Sequence, residues 1–407
     1  MRIALIIVRY GVEIVGGAET AARKLIEGLA ARGHNIEVLT TCLRHLHTSA
    51  ESYREGRVEI NGLPVFRFPV MRIPDTLAET VPGITVKLEV RFPLSLEEQY
   101  LLVDAGIHSP KLYAYLKSNG ARYDFLLFSH YWMGLTYYGA TLFPNKTVIW
   151  PHLHDFEALA YSVPTSILLQ DCFALLFNSQ WEMEFAQEKL GVKNARMRVM
   201  GLGVEDQQGD AAFFREIYKV DAPFVLYAGQ LEQGKNVPLL VDYFLRYKAR
   251  DSGNLKLVIM GTGSARVPQH PDIVRLGFVA ESHKPNVFAA ATVLCQPSVR
   301  ESFSLVIMES WMQGVPVLVH RDCEVTKYHC LRSNGGLYFG DYDEFEACLD
   351  FLLKNPDIQA GMGENGRRYV LSNCSWDVVV GRFEETLDSW VELSGPPAKL
   401  LEIDRHG

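Results

Sequence analysis

The chain has 407 residues, 48% of them hydrophobic, so it is longer than one hydrophobic core usually organises and two domains are expected. Its net charge of −8 comes from the residues after 200, which hold 20 basic and 28 acidic side chains, whereas the first 200 are balanced. The sequence contains no long basic run interleaved with aromatic residues, which excludes the usual electrostatic footprint of a nucleic-acid-binding protein.

Targeting and cysteine patterns favour a reduced, cytoplasmic setting. The apolar run from Ile3 to Val8 is too short for a signal-peptide core, and no uninterrupted apolar run reaches the roughly 18 residues of a membrane span. The seven cysteines are an odd number without a Cys-x-x-Cys pair, so reduced thiols are expected. The polar cluster from His320 to Cys330 matches no zinc-ligand spacing, and we expect no metal.

The chain begins with a predicted βαβ unit. Residues 2–8 form a continuous apolar run, which is typical of a buried parallel strand. A helical pattern follows and ends near Gly33, and the next strand covers residues 36–41. Further strand-like runs continue the parallel sheet of a first domain, residues 1–203, at 125–128, 147–150 and 174–177.

Residues 70–108 interrupt this alternation, and the segment is longer than a usual connection. It is therefore either functional or partly helical. Its mixture of aromatic, aliphatic and basic side chains favours contact with an acceptor molecule, and ordinary helical packing is the alternative that stays open.

A second domain, residues 204–375, begins where hydrophobic periodicity is lost near 203–222. Because strands and helices alternate again, we expect two doubly wound α/β domains whose ligands bind beyond the carboxyl ends of the strands, in a cleft between the domains. The segment 376–393 has helical periodicity. The predicted elements of the second domain are a strand at 224–229, a helix at 237–250, strands at 255–261 and 273–278, a helix at about 285–291, a strand at 292–297, a helix at 304–313, a strand at 315–319 and a helix at 343–354.

Two carboxylates, Glu301 and Glu309, surround the start of the predicted helix 304–313. If the segment is helical, a separation of eight residues is close to two turns, which would place both on one side about 12 Å apart. That arrangement fits a ligand with hydroxyl groups at two ends, such as a nucleotide-sugar. The free N–H groups between Phe303 and Leu305 would receive its anionic middle. The alternative is a solvated helix face with an unrelated loop acid.

A glycine pair, Gly16-Gly17, lies between the first strand and its helix. Glycines there allow a backbone to approach a phosphate or a sugar closely, and the helix start adds positive potential. The pattern is not the Gly-x-Gly-x-x-Gly of dinucleotide enzymes, and the second strand ends in Thr40-Thr41 without a ribose-binding acid. A nicotinamide enzyme is therefore disfavoured.

The segment from Val293 to Val317 resembles the signature of the family 4 retaining glycosyltransferases, which have the GT-B fold, and the resemblance covers nearly the whole chain. It implies two Rossmann-like domains that face a central cleft, with the helix at 376–393 packing back on the first domain. The implied reaction is transfer of a hexosyl group from a nucleoside-diphosphate sugar to an acceptor hydroxyl with retention, without metal or cofactor. Its usual setting is polysaccharide, glycolipid or glycoconjugate biosynthesis, with peripheral membrane contact through residues 70–108.

The resemblance assigns roles to individual residues. Glu301 would hold donor-sugar hydroxyls and Glu309 would bind the ribose, while Lys235 and backbone amides near Gly16 and Phe303 would stabilise the leaving diphosphate. The family has an arginine five residues before this lysine, where this chain has Gln230. Glutamine donates hydrogen bonds but carries no charge, so diphosphate binding would depend more on Lys235 and the two helix starts.

Other residues follow strand ends. His130 occupies a position near the donor sugar or the acceptor hydroxyl in the family, and a histidine bonded in the core is the alternative. The catalytic set is thus Glu301, His130 and Lys235, and the acceptor-side set is His152, His154 and Asp155. The donor-binding set is Gly16, Gly17, Gln230, Lys235, Gly261, Val279, Lys284, Ser302, Phe303, Ser304, Leu305 and Glu309.

Two other functions remain open at this stage. The Gln230 departure permits a catalytically impaired protein that binds nucleotide-sugars without turning them over. A glycoside hydrolase or phosphorylase would also use two carboxylates, but a pair on one segment beside a lysine suits a diphosphate leaving group better. The sequence does not specify the donor base, the sugar or the acceptor.

Overall fold

The computed structural model describes residues 1–14, 16–46, 52–90, 92–154, 157–250 and 253–394. The chain divides into two compact units. Unit 1 comprises Met1–Met200 together with the chain from Val379 onward, and unit 2 comprises Gly201–Val378.

Unit 1 contains an eight-stranded sheet of order β3-β4-β2-β1-β5-β6-β7-β8. Only the β3–β4 hairpin at one edge is antiparallel, and the other neighbours pair in parallel. The strands are β1 (Arg2–Ile6), β2 (Asn35–Thr41), β3 (Gly56–Ile60), β4 (Leu63–Phe68), β5 (Phe125–Ser129), β6 (Thr147–Trp150), β7 (Ala174–Phe177) and β8 (Met197–Val199).

The unit 1 sheet is covered on both faces, which explains its continuous apolar strands. Ala4 and Ile6 of β1 belong to a buried cluster with Leu112 and Leu168. The intervening β1 residues are equally buried and point to the opposite face, because side chains alternate along a strand. The helices are α1 (Gly17–Ala31), α2 (Asp75–Glu89), α3 (Leu96–Asp104), α4 (Pro110–Asn119), α5 (Gly134–Ala140), α6 (Val163–Asp171) and α7 (Gln180–Glu184).

The segment 70–108 is largely helical, since it contains α2 and α3. Helix α3 begins with a capping box in which Ser95 and Glu98 exchange side-chain and backbone hydrogen bonds. Several apolar side chains of the segment are nonetheless exposed, including Val86 at 56%, Val90 at 69% and Phe92 at 60%. The segment is therefore partly helical, as one of the two alternatives predicted. Contact with an acceptor through the exposed apolar side chains stays a prediction.

Unit 2 contains a six-stranded sheet of order β11-β10-β9-β12-β13-β14, in which all neighbours are parallel. This is the strand order of a doubly wound dinucleotide-binding fold. Its strands are β9 (Phe224–Ala228), β10 (Lys256–Met260), β11 (Ile273–Gly277), β12 (Val293–Gln296), β13 (Val317–His320) and β14 (Gly336–Phe339). Its helices are α8 (Ala211–Tyr218), α9 (Val237–Arg250), α10 (Lys284–Ala290), α11 (Leu305–Met312), α12 (Glu324–Ser333), α13 (Tyr342–Lys354) and α14 (Pro356–Asn373).

The last helix, α15 (Trp376–Ser394), begins in unit 2 and continues in unit 1. In unit 1 its Trp390 ring meets the Phe173 ring edge-on at 6.0 Å. Its Glu384 accepts a hydrogen bond from Arg32 at 3.1 Å and pairs with the His34 ring at 2.7 Å. The helix therefore supplies both apolar and polar contacts to the first unit.

Each sheet has one point where the chain reverses the direction in which strands are added. In unit 1 this switch lies between β1 and β5, and in unit 2 it lies between β9 and β12. Ligands of such sheets bind outside the carboxyl ends of the strands at these points. The loops that follow β1, β5, β9 and β12 are therefore the places to look for a site.

Candidate functional site

In unit 2, a lysine from one switch-point loop meets a glutamate from the other. Lys235 follows β9, and its Nζ donates to Oε1 of Glu301 at 2.9 Å. Gln296, the last residue of β12, donates to the same oxygen at 3.3 Å. Within the described chain the second Glu301 oxygen has no hydrogen-bond partner, so the carboxylate is held by one oxygen and retains acceptor capacity on the other.

Helix α11 begins four residues after Glu301, at Leu305, which corrects the spacing argument from the sequence. Glu301 is not part of the helix, so a two-turn separation does not relate it to Glu309. Both acids nevertheless flank the same helix start, and only Glu309 is on the helix.

The start of α11 is unusual at Ser304. This residue has φ +71°, a left-handed conformation that costs a non-glycine residue about 1–3 kcal/mol. Its side chain is buried, does not cap the helix, and leaves Oγ without a partner among the described residues. Among the described residues the first-turn N–H groups of Leu305 and Val306 thus have no side-chain cap, which leaves them available to an anion.

Glu309 lies one turn into α11 as a half-buried carboxylate. No hydrogen-bond or ion-pair partner for it exists in the part of the chain that the structure describes. Burial raises its pKa to about 7, a tendency that nearby Lys284 opposes and Glu281 reinforces. Lys284 itself pairs with Glu281 at 2.7 Å. An unpaired, desolvated carboxylate is an acceptor in need of donors, such as a pair of hydroxyl groups.

Glycines shape the loops beside this centre. Leu231 N–H donates to the Thr262 carbonyl at 2.9 Å, so the loop after β9 pairs with the loop after β10. A Cβ on Gly261 would lie 1.8 Å from the Gly229 carbonyl oxygen, and its φ is +137°. Together with β11 residues these loops border a cavity of about 460 Å³. Val279, which follows β11, is buried.

Gln230, where the resemblance predicts an arginine, is held through its backbone. Tyr227 donates its hydroxyl to the Gln230 carbonyl at 2.7 Å. Asn236 adopts φ +58° and donates to the Pro297 carbonyl at 3.2 Å, which links the loops after β9 and β12. These backbone bonds hold the loop in place but add no positive charge, and Lys235 is the cation that reaches Glu301.

In unit 1, Gly16 lies under the carboxylate of Glu19. A Cβ on Gly16 would be 2.0 Å from Glu19 Oε2, so any side chain would displace that carboxylate. Arg9 holds Glu19 through its Nε at 3.0 Å. Gly17 opens α1, and a Cβ there would meet nothing within 4 Å.

A hydrogen-bonded row of polar side chains crosses the carboxyl ends of β5, β6 and β7. Ser129 Oγ lies 3.2 Å from His130 Nδ1 and 3.3 Å from His152 Nε2. Asn178 Nδ2 lies 3.0 Å from His152 Nδ1, and Trp150 Nε1 donates to Asn178 Oδ1 at 2.7 Å. Two predicted site residues, His130 and His152, are therefore members of one network.

Both histidines are strained and desolvated. His130 has φ +69° and His152 has φ +58°. Burial lowers the pKa of His130, with a smaller opposing effect from Glu19, and burial lowers the pKa of His152 well below its usual value. Burial thus favours the neutral form of both rings. His154 is half-buried nearby, and Asp155 lies outside the described residues.

A buried glutamate supports this network from below. Glu182 accepts hydrogen bonds from the backbone N–H groups of Leu153 and Asn178, both at 2.6 Å. Burial raises its pKa to about 8. It joins the loops that follow β6 and β7, and so fixes the backbone beside His152 and Asn178.

Sequence reasoning placed some of these residues in the site and missed others. The missed residues are polar groups whose partners come from distant strands, so periodicity gave no signal beyond their position at strand ends. They are Gln296, Asn236, Ser129, Trp150 and Glu182.

The seven cysteines, all in the described part of the chain, form no disulfide. Among the described residues no group of three or more His, Cys, Asp or Glu side chains could hold a metal ion. No described helix is long and apolar enough to cross a membrane.

Two family models match the chain. The model described as "Glycosyl transferases group 1" matches residues 210–369, and the one described as "Glycosyl transferase 4-like domain" matches residues 16–203. Together they cover most of both units.

Three individual proteins that the chain resembles are each 25% identical to it or less. The chain is 25% identical to an MMP alpha-(1->4)-mannosyltransferase of Mycolicibacterium hassiacum, over 94% of this chain and 96% of that protein. It is 23% identical to a trehalose synthase of Rubrobacter xylanophilus, over 56% of this chain and 57% of that protein. The structure of Anabaena HepE in complex with UDP-glucose matches with a TM-score of 0.65 and 16% identity, over 96% of this chain and 100% of that one.

Proposed function

The chain belongs to the family 4 glycosyltransferases of GT-B fold, and from this premise we propose that it moves a hexosyl group from a nucleoside-diphosphate sugar to an acceptor hydroxyl with retention of anomeric configuration. The observation that carries the proposal is the pairing of Lys235 with Glu301 beside the uncapped start of α11, one turn before the unpaired Glu309. HepE, which has the same fold, binds UDP-glucose.

In the proposed complex the diphosphate occupies the start of α11. The first-turn N–H groups and the Lys235 ammonium donate to its oxygens, and they do so most strongly when the bond to the sugar breaks and negative charge develops. The C1–O bond between the sugar and the diphosphate breaks, a new bond from C1 to the acceptor oxygen forms on the same face, and the acceptor proton passes to the leaving diphosphate. These cationic and dipolar groups are the basis for proposing that no metal is needed.

The two glutamates take different roles in this complex. The free oxygen of Glu301 accepts hydrogen bonds from donor-sugar hydroxyls, and its bond to Lys235 places that carboxylate next to the diphosphate. Glu309 accepts the two ribose hydroxyls, which would supply the donors that its carboxylate lacks.

The setting is proposed to be assembly of a polysaccharide, glycolipid or other glycoconjugate, with peripheral membrane contact through the exposed apolar side chains of Val86, Val90 and Phe92. Sedimentation with liposomes tests the membrane contact. Phe92→Ser should reduce the bound fraction, and equal sedimentation of both proteins would reject this surface.

The transfer itself is tested with purified protein. A thermal-shift screen of UDP, GDP and ADP and their sugars identifies the donor, because a ligand that binds the folded state raises Tm with its occupancy. The selected donor is then incubated with acceptors, and the product anomer is read by NMR with and without EDTA. Retained configuration and insensitivity to EDTA are expected. An inverted product or EDTA-sensitive turnover would contradict the mechanism, and binding without turnover on a broad acceptor panel would favour a binding protein.

Substitution separates the glutamate roles. Glu309→Ala removes hydrogen bonds to a charged acceptor, and the loss of even one such bond is worth about 1.5–3 kcal/mol, so nucleotide affinity should fall at least about 10-fold. Glu301→Ala should lower kcat by about 100-fold with a smaller change in nucleotide affinity. Glu364→Ala, an exposed acid on α14, is the control. Unchanged kinetics in both site variants would remove these residues from the site.

A further inference from the structure

The hydrogen bonds among the polar side chains at the ends of β5, β6 and β7 run in one donor-to-acceptor direction, and the indole of Trp150 fixes that direction. An indole N–H can only donate. Its 2.7 Å contact with Asn178 therefore identifies the amide oxygen as the atom facing Trp150 and the amide nitrogen as the atom facing His152.

The direction continues through His152. The Asn178 amide nitrogen is a donor, so His152 Nδ1 at 3.0 Å must be the acceptor and carries no proton. A neutral imidazole then holds its single proton on Nε2, which is the nitrogen that faces Ser129 Oγ at 3.3 Å. His152 thus donates to the serine oxygen.

Ser129 passes the direction on to His130. Its oxygen accepts from His152, which leaves the hydroxyl hydrogen available to His130 Nδ1 at 3.2 Å. Ser129, Asn178 and Trp150 are each 1% exposed, so water does not compete for these bonds. If Nδ1 of His130 accepts this hydrogen, the proton of its neutral ring lies on Nε2.

We propose that this one-way chain, from Trp150 through Asn178, His152 and Ser129, holds His130 as the tautomer with its proton on Nε2, so that His130 donates this N–H to a ligand oxygen and does not act as a base. Within the described chain Nε2 of His130 has no hydrogen-bond partner, and it is thus available to a ligand. The ligand atom is an oxygen of a substrate hydroxyl or phosphoryl group. This last assignment rests on the proposed function, whereas the tautomer does not.

The backbone conformations support a role for this hydrogen-bond chain beyond packing. His130 and His152 both hold left-handed φ values, and such strain persists in non-glycine residues only where surrounding contacts determine it. Glu182 fixes the backbone N–H groups of Leu153 and Asn178 on either side of the chain. Ser129, His152, Asn178 and Trp150 act here as positioning residues, and His130 alone touches substrate.

The tautomer is measured directly on the whole protein without ligand, by long-range ¹H–¹⁵N correlation spectra of ¹⁵N-histidine-labelled protein, with His130 assigned by comparison with His130→Asn. The expected pattern has a protonated Nε2 and an unprotonated Nδ1. The competing arrangement places the proton on Nδ1, directed at the Ser129 backbone carbonyl, and finding it would overturn the proposal. Because the readout is independent of turnover, an inactive protein would reject the proposed function and leave the tautomer decided.

Two kinds of variant test how the hydrogen-bond chain affects His130 and the proposed sugar transfer. Ser129→Ala removes the link, and the His130 proton should then redistribute toward Nδ1. An unchanged His130 spectrum would show that the chain does not set the tautomer. His130→Gln places an amide N–H₂ near the Nε2 position and should keep transfer within about tenfold of wild type, whereas His130→Ala should lose about 100-fold. Equal loss in both variants would reject the donor role of His130.

Discussion

Glu309 links the candidate site in unit 2 to the stability of the protein through its raised pKa. A carboxylate whose folded-state pKa lies near 7 is destabilising when ionised, so the free energy of unfolding should fall as pH rises from about 4.5 through 7. This shift in the pKa of Glu309 corresponds to at most roughly 3 kcal/mol in the free energy of unfolding. Glu309→Gln removes the titration, and the variant should be more stable than wild type at pH 8 and closely similar at pH 4.5.

Urea unfolding at both pH values measures this difference. Glu182 also has a raised pKa, and its contribution to the pH dependence is the same in both proteins. The difference between wild type and variant therefore reports on Glu309. The nucleotide provides the complementary check, since it should stabilise wild type and have little effect on the variant. A pH-independent difference would show that Glu309 does not titrate in this range.

Gln230 stands where the resemblance to the family predicts an arginine. Restoring the guanidinium in Gln230→Arg adds a charged hydrogen bond to the diphosphate beside Lys235, which should tighten nucleoside-diphosphate binding about tenfold. Titration calorimetry measures it. Gln233→Arg adds the same charge to an exposed position of the same loop and should leave the affinity nearly unchanged. Equal tightening in both variants would mean that net charge, and not a specific contact, is responsible.

At the scale of elements, the loops after β9 and β10 depend on Gly261. Gly261→Ala places a Cβ 1.8 Å from the Gly229 carbonyl oxygen in a backbone with φ +137°, so we expect a loss of at least about 2 kcal/mol in the free energy of unfolding. Gly234→Ala is the matched control, because nothing lies within 4 Å of its Cβ position and the change should stay within about 0.5 kcal/mol. Urea unfolding of both variants decides whether the close approach of the two loops is required.

The elements that sequence reasoning placed well are those whose periodicity is set by local burial. Helix α9 occupies the predicted 237–250, and β6 and β7 occupy the predicted 147–150 and 174–177. The β3–β4 hairpin was not predicted, because four of the five β3 residues are exposed and give no buried pattern. Helix α11 begins one residue later than predicted, since Ser304 takes a left-handed conformation that the sequence does not encode in a recognisable way.

The candidate site was predictable only in part, for a related reason. Glu301, Glu309 and Lys235 lie in motifs that a single stretch of sequence displays. The hydrogen-bond chain from Trp150 to His130 connects the ends of three strands through contacts between residues 23 or more positions apart. These contacts depend on parallel strand pairing that no local pattern reveals. The donor and acceptor of each of its hydrogen bonds can be assigned only from the three-dimensional structure.

At the scale of the whole molecule, each unit is a doubly wound sheet with its own candidate residues at its own switch point, and α15 gives unit 1 contacts from the far end of the chain. Trp390 of α15 is 1% exposed and meets Phe173. Trp390→Ala should therefore cost about 3–5 kcal/mol, and the cost should fall on unit 1.

Hydrogen exchange followed by mass spectrometry locates that cost. Protection should decrease in β7 and α15 and stay near wild type in β9, β10 and β12. Trp311→Ala is the mirror control, because Trp311 is fully buried in unit 2 and donates to the Gly335 carbonyl at 2.8 Å, so its loss should weaken unit 2 first. The same loss of protection in both units, whichever tryptophan is removed, would show that they unfold as one cooperative body. Separate losses would show that unit 2 keeps its structure when unit 1 is weakened.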